Sequence, residues 1–223
     1  MRCEGGRSRI TFQCVWRACQ GARLACRAEQ DPQPMSLSFK NRANLSSEEV
    51  KACESYQTDA TFLHACTQGW SGQFPGDETF QAFLSRCTRL AANLRSAIDK
   101  FEVDEPGVVY SGHGLGISVL GSLVGRPAQF IGLEYSYPGF TSTSEDRSVA
   151  EKFLRSRASG GRLPVILEIN LKSGQKALPF SRVTSGVGEG EVLLPPGALF
   201  KIIDAQIIKI DQVEQKVLHL TLE

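Results

Sequence analysis

Apolar residues follow two different periods along this chain, and the change of period divides it. Phe80, Phe83, Leu84, Cys87, Leu90, Ala91, Leu94, Ile98 and Phe101 recur at spacings of three and four. That is one buried stripe on an amphipathic helix. Asp77 is placed to cap it, and Arg86, Arg89, Arg95 and Lys100 fill the opposite face. A shorter helix is predicted from Ser46 to about Tyr56. Ser46 and Glu49 stand at the spacing of a capping box, each side chain serving the other's backbone N–H, with Leu45 as a hydrophobic staple. Phe62 to Cys66 reads as another helical piece and Gly69 to Gly76 as a loop.

Beyond residue 104 the period shortens to two. Val108-Val109-Tyr110 reads as a strand running into the Gly-rich exit Ser111-Gly112-His113-Gly114-Leu115-Gly116. Glycines there let backbone approach a ligand closely. The spacing is neither a dinucleotide-binding fingerprint nor a P-loop. Thr141-Ser142-Thr143-Ser144 places four hydroxyls in one strand-like run, either a wet strand edge or a hold on a polar ligand or carboxylate. Ser144 then caps a helix with Val149, Ala150, Phe153 and Leu154 as its stripe. Val165, Leu167, Ile169 and Leu171 alternate with Ile166, Glu168 and Asn170 as a half-buried strand, turned by Lys172 to Gln175. Strands follow at Leu199 to Ile203, Ile207 to Ile210 and Leu218 to Leu222. Helices first and strands afterwards, without βαβ alternation, define an α+β class.

Composition narrows the picture. With 223 residues, 41% hydrophobic and 22% charged, the chain holds one full core. A net charge of +1 gives no argument for nucleic acid or a membrane surface as partner. No apolar run reaches membrane-spanning length, and no Sec-type signal is expected at the start. The seven Cys, at 3, 14, 19, 26, 53, 66 and 87, are odd in number and include no Cys-x-x-Cys. Reduced thiols in a cytosolic setting are expected, rather than structural zinc or a disulfide framework. Residues 1–35 carry Arg without Lys and end at Asp31-Pro32-Gln33-Pro34. They read as a flexible or secretion-related segment, a partner-binding arm or a mitochondrial presequence, ahead of a single domain over 36–223.

Candidate chemistry gathers at Gly188-Glu189-Gly190-Glu191-Val192-Leu193-Leu194-Pro195-Pro196-Gly197. On extended backbone, Glu189 and Glu191 point to one face. Like charges that close are costly, which suggests two carboxylates with different tasks at one reaction centre. A solvated turn before an ordinary strand is the plainer alternative.

Three of these stretches, in this order, resemble the mono-ADP-ribosyltransferase family of bacterial toxins and effectors, in its arginine-serine-glutamate branch. Gly139-Phe140-Thr141-Ser142-Thr143-Ser144 with the helix after it resembles the family's Ser-Thr-Ser strand. Leu167 to Ala177 is similar to the strand and turn that follow. Glu189-x-Glu191-Val-Leu-Leu-Pro-Pro-Gly resembles the Glu-x-Glu motif. The likeness runs from about residue 40 to the C-terminus. It implies N-terminal helices followed by two small packed β-sheets around an NAD cleft. It also implies a glycosyltransferase that uses NAD as substrate, without metal, to modify a protein. Ser111 departs from the pattern, standing where the family has an Arg against the NAD phosphates. His113, Arg147 or Arg162 could answer for that charge.

By this resemblance Glu191 stabilises the oxocarbenium-like transition state, as in glycoside hydrolysis. Ser142 orients Glu191, and Glu189 serves the acceptor. Tyr110, Ser111, Gly112, His113, Thr143, Ser144 and Arg162 are the expected NAD contacts. Arginine is the implied acceptor, with a Thr or Ser hydroxyl open. The implied partner is a host protein; GTPases, actin and ubiquitin span the family's range. The implied setting is a bacterial effector or virulence toxin, monomeric, secreted without a Sec-type signal and acting in the host cytosol. A catalytically silent binding module and an NAD glycohydrolase are the alternatives.

Overall fold

A computed structural model of the chain describes residues 9–10, 37–58, 79–116, 126–157, 162–184, 190–210 and 217–223. Phe62 to Cys66, Asp77 and Glu189 lie outside these residues, as does nearly all of 1–35.

Helix α1 covers Ser47–Thr58. Its predicted capping box is in place: Ser46 N–H donates to Glu49 Oε2 at 2.6 Å and Glu49 N–H to Ser46 Oγ at 3.2 Å. The same carboxylate accepts from Ser96 Oγ and Lys100 Nζ, both at 2.6 Å. The box thereby ties α1 to helix α2, Phe80–Asp99. The N-cap of α2 is Thr79, whose side chain accepts from Ala82 N–H at 3.3 Å. This corrects the placement of Asp77 as cap. Phe83, Cys87, Leu94, Ala97 and Ile98 are buried, whereas Phe80 and Leu84 in the first turns are exposed.

The remaining strands are β1 (Arg9–Ile10), β2 (Phe39–Asn41), β3 (Phe101–Val103), β4 (Gly107–Gly116), β5 (Glu134–Ser136), β6 (Thr141–Ser144), β7 (Arg162–Leu171), β8 (Leu178–Pro179), β9 (Glu191–Leu194), β10 (Leu199–Ile208) and β11 (Val217–Leu222). Nine of them form one hydrogen-bonded ladder in the order β1-β5-β10-β11-β7-β4-β6-β9-β8, while β2 and β3 pair separately. The ladder bends over on itself. Val192 and Leu194 near one end share a core with Tyr135 and Phe200 near the other, together with Val165, Leu167 and Leu220. The α+β expectation is therefore met, with the strands in one nine-stranded ladder and one two-stranded pair. The two predicted segments near 199–210 are one strand with a register shift between Ile202 and Asp204.

A second core lies under the helices: Ala52, Cys53, Tyr56, Leu94, Ile98, Phe140, Phe180 and Leu193. Helix α3, Arg147–Arg157, covers β4 and β7, burying Val149, Ala150 and Leu154. Its cap is Asp146, whose Oδ1 accepts from Ser148 N–H at 2.8 Å. Ser144, expected to cap it, accepts instead from Asp146 N–H at 3.0 Å. Cys53 is a buried free thiol, its pKa pushed up to about 12 by burial and then by Glu49 and Glu54. Cys87 is disulfide-bonded, which corrects the expectation of reduced thiols. Among the described residues no helix is long and apolar enough to cross a membrane.

Candidate active site

Strands β6 and β9 pair antiparallel, with Ser142 opposite Leu193 and Ser144 opposite Glu191. Gly190, in the left-handed region at φ 56°, brings the chain into β9. Its carbonyl accepts from Glu145 N–H at 3.0 Å. Glu191 is thus delivered to the start of a strand at the edge of the second core. Glu145 beside it has its carboxyl pushed above the ordinary range by burial.

Ser142 Oγ donates to Glu191 Oε1 at 3.1 Å. Tyr56 OH lies 2.7 Å from the same Oγ. A serine has one hydroxyl hydrogen, and here it faces the carboxylate, so Tyr56 donates to Ser142. Tyr56 is fully buried, stacked on Phe180 at 5.8 Å between ring centroids and edge-on to Phe140 at 6.3 Å. Gln57 Nε2 donates to Glu191 Oε2 at 3.3 Å, and Gln57 Oε1 accepts from Thr184 Oγ1 at 2.6 Å. The carboxylate is gripped from both sides by two consecutive residues of α1, one acting through Ser142.

The hydroxyl run divides its labour. Ser142 aims at the carboxylate, while Thr143 Oγ1 donates to Val192 O at 2.6 Å and locks β6 to β9. Ser111 Oγ donates to Ser142 O at 2.6 Å and sits 3.0 Å from His113 Nε2. With the Ser111 hydrogen committed to that carbonyl, Nε2 carries the proton and donates to Ser111. The His113 ring also lies 5.4 Å from that of Tyr137. Ser111 and His113 are 5% and 9% exposed. At Ser111 the chain therefore has a buried brace against the backbone of Ser142.

Tyr110 stands opposite both Ser144 and Glu168 in the ladder. Its phenol is pushed up by burial and by Glu168, with Arg147 opposing. Glu168 is held below the ordinary carboxylate range, chiefly by the hydrogen bond from His219 at 3.1 Å and against the effect of burial. A Cβ on Gly112 would meet Ala150 O at 2.3 Å, so this glycine admits α3 against β4. Arg162 is exposed opposite Gly116, five ladder positions from Ser111. That is about 17 Å along the strand. Among the described residues no three His, Cys, Asp or Glu side chains gather as a metal site requires.

The structure brings Glu191, Ser142, Ser111, His113 and Ser144 together, with Tyr110 opposite Ser144 and Thr143 tied to β9; Gly112 packs against α3 and Arg162 lies five ladder positions from Ser111. Tyr56, Gln57 and Thr184 were not foreseen. Tyr56 falls on the buried side of α1 with Ala52 and Cys53, so its burial was legible but the destination of its hydroxyl was not.

Glu191 at the start of β9 is thus held by Ser142 of the neighbouring strand and by Gln57 at the end of α1. The family model described as ADP-ribosyltransferase exoenzyme matches residues 88–223, more than half of the chain. The chain belongs to that family and is an NAD-dependent ADP-ribosyltransferase. Among solved structures it is similar to the ADP-ribosyltransferase Vis of Vibrio splendidus in complex with agmatine. The TM-score is 0.59 at 20% identity, over 82% of this chain and 77% of that one. Plx2a, an ADP-ribosyltransferase toxin from Paenibacillus larvae, matches with TM-score 0.58 at 17% identity, over 80% and 86%. The C3 exoenzyme of Clostridium limosum matches with TM-score 0.51 at 21% identity, over 80% and 86%. At these identities the likeness carries the fold. A comparison by sequence with curated proteins gives no match.

Proposed function

We propose that this enzyme breaks the bond between nicotinamide and ribose in NAD and transfers ADP-ribose to a protein side chain, with Glu191 as the catalytic carboxylate. The observation that carries the reading is the Tyr56–Ser142–Glu191 chain, with hydrogen bonds of 2.7 and 3.1 Å. A carboxylate held in one orientation stabilises the positive charge that grows on the ribose as nicotinamide leaves, and accepts from its 2′-hydroxyl. Removing such a preorganised charge costs roughly 10²–10³ in rate. NAD is proposed to lie beside Glu191 and Ser144 along the end of β4 at Tyr110, Ser111 and His113.

Glu189 is the proposed base toward the acceptor. As the acceptor atom bonds to C1′ of the ribose, its proton passes to Glu189 and nicotinamide departs with the electrons of the broken bond. Arginine is the proposed acceptor, by the Glu-x-Glu pattern and by the agmatine complex of Vis. A host protein as target, delivery from a bacterium and a separate role for residues 1–35 ahead of the 36–223 domain belong to the same proposal.

The test is labelled NAD given with agmatine or with a cell lysate. The parent should release nicotinamide and label agmatine or a protein band, and Glu191→Ala should do neither. Glu189→Ala should keep slow NAD hydrolysis and lose labelling. No nicotinamide release from the parent, or release by Glu191→Ala within a few-fold of it, overturns the assignment. Free ADP-ribose as the sole product would identify a glycohydrolase.

A further inference from the structure

We propose that Gln57 is a positioning residue for Glu191, and that Thr184 in turn sets the orientation of the Gln57 carboxamide. The inference rests on the transferase reading above. Ser142 fixes one oxygen of Glu191. A carboxylate held at one oxygen still turns about its terminal torsion, which is broad and roughly two-fold. A donor on the second oxygen sets the plane. Gln57 Nε2 supplies it at 3.3 Å from Oε2.

The Gln57 carboxamide has the same two-fold freedom, and Thr184 removes it. Its hydroxyl donates at 2.6 Å to Gln57 Oε1, an atom that only accepts. The amide hydrogens are thereby turned toward Glu191. Thr184 is itself seated on a short 3-10 turn, with the N–H groups of Val183 and Thr184 both closing on Phe180 O at 2.9 Å. Beyond it the chain runs five residues to Glu189. At the other end, burial of Tyr56 against Phe180 and Phe140 fixes the last turn of α1 from which Gln57 projects.

Gln57 is exposed, so its replacement leaves the core untouched. The experiment compares Gln57→Met, Thr184→Val, Thr184→Ser and the double Gln57→Met/Thr184→Val with the parent. Nicotinamide release from NAD is followed against pH. Gln57→Met should lower kcat about tenfold, the low end for a hydrogen bond to a charged group. KM for NAD should stay within about twofold, since the lost contact is to Glu191 and not to NAD. Thr184→Val should lower kcat about threefold, the double variant no further than Gln57→Met alone, and Thr184→Ser should recover the rate.

Losing a donor to the charged form raises a carboxylate pKa, so the acid limb should move to higher pH in Gln57→Met. Among the described residues, the titratable groups facing Glu191 include Tyr56 on α1, His113 through Ser111 on β4 and Glu145 against Gly190. None of them is altered in these variants. The same shift is read without activity, from the carboxyl carbon of Glu191 in ¹³C-glutamate spectra, assigned by its loss in Glu191→Gln. An unmoved midpoint in Gln57→Met overturns the positioning role even if the enzyme proves silent. Full additivity of the two substitutions overturns the link through Thr184. A raised KM with unchanged kcat would make Gln57 an NAD contact instead. Absence of nicotinamide release from the parent, with the carboxyl shift present, would sink the transferase reading alone.

Discussion

Replacing Glu49 by Gln should destabilise the fold in a way that depends on pH. The carboxylate is 4% exposed, and burial alone would raise its pKa. The hydrogen bonds from Lys100, Ser96 and the Ser46 N–H outweigh that and bring it to about 2, from an ordinary 4.5. At about 1.4 kcal/mol per unit, the ionised form contributes about 3 kcal/mol to folding. A depressed carboxylate contributes this in full above its unfolded pKa, and the contribution is lost as pH falls from 4.5 toward 2. Glu49→Gln should therefore be less stable than the parent by about 2–3 kcal/mol at pH 7, with Lys100 left without its carboxylate. The gap should close as pH drops below 4. Urea unfolding at pH 7, 5 and 3, read as midpoint times slope, gives the difference directly. A gap under about 0.5 kcal/mol at pH 7 would refute the reasoning, as would a larger one that stays constant down to pH 3. Because Glu49 joins α1 to α2, the variant should also lose activity by letting Tyr56 and Gln57 drift from Glu191.

Tyr56→Phe keeps the stack on Phe180 and removes the donor to Ser142. It should slow nicotinamide release about three- to tenfold with little change in melting temperature; an unchanged rate would leave the buried hydroxyl without a catalytic part. Ser142→Ala should cost more than Tyr56→Phe and less than Glu191→Gln, because it removes an orienting bond to the carboxylate but not the charge. Rates in any other order would separate Ser142 from Glu191. Gly112→Ala places a Cβ 2.3 Å from a backbone oxygen of α3; it should lower stability by about 1–3 kcal/mol, and an unshifted melting temperature would show that the close approach is not required.

The elements that could be read from the sequence are those whose cause is local. A capping box needs residues three apart, so Ser46 and Glu49 announced α1 without help. An amphipathic stripe needs period, and Phe83 to Ile98 supplied it. The caps of α2 and α3 were misplaced by two residues. Several nearby side chains in each place could accept from a free N–H, and backbone geometry selects Thr79 and Asp146. Ser142 and Glu191 were recognisable because motif spacing carries them, whereas Tyr56 and Gln57 are polar residues at a helix end with no motif of their own.

What the sequence determined by itself was therefore the class of fold, the helices, the strand bearing Ser142 and the strand that starts with Glu191. What only the tertiary structure decided was the company these residues keep. Tyr56 and Ser142 are separated by 86 positions and Gln57 and Glu191 by 134. Those distances along the chain close only when two helices are laid on the edge of a bent sheet. The same holds for Ser111, which the family resemblance offered only as a departure from its Arg. Its meaning as a brace on the Ser142 carbonyl comes from pairing between β4 and β6. Hydrogen bonds require atoms within about 3 Å, and for residues so far apart in the chain only the packed fold sets that distance.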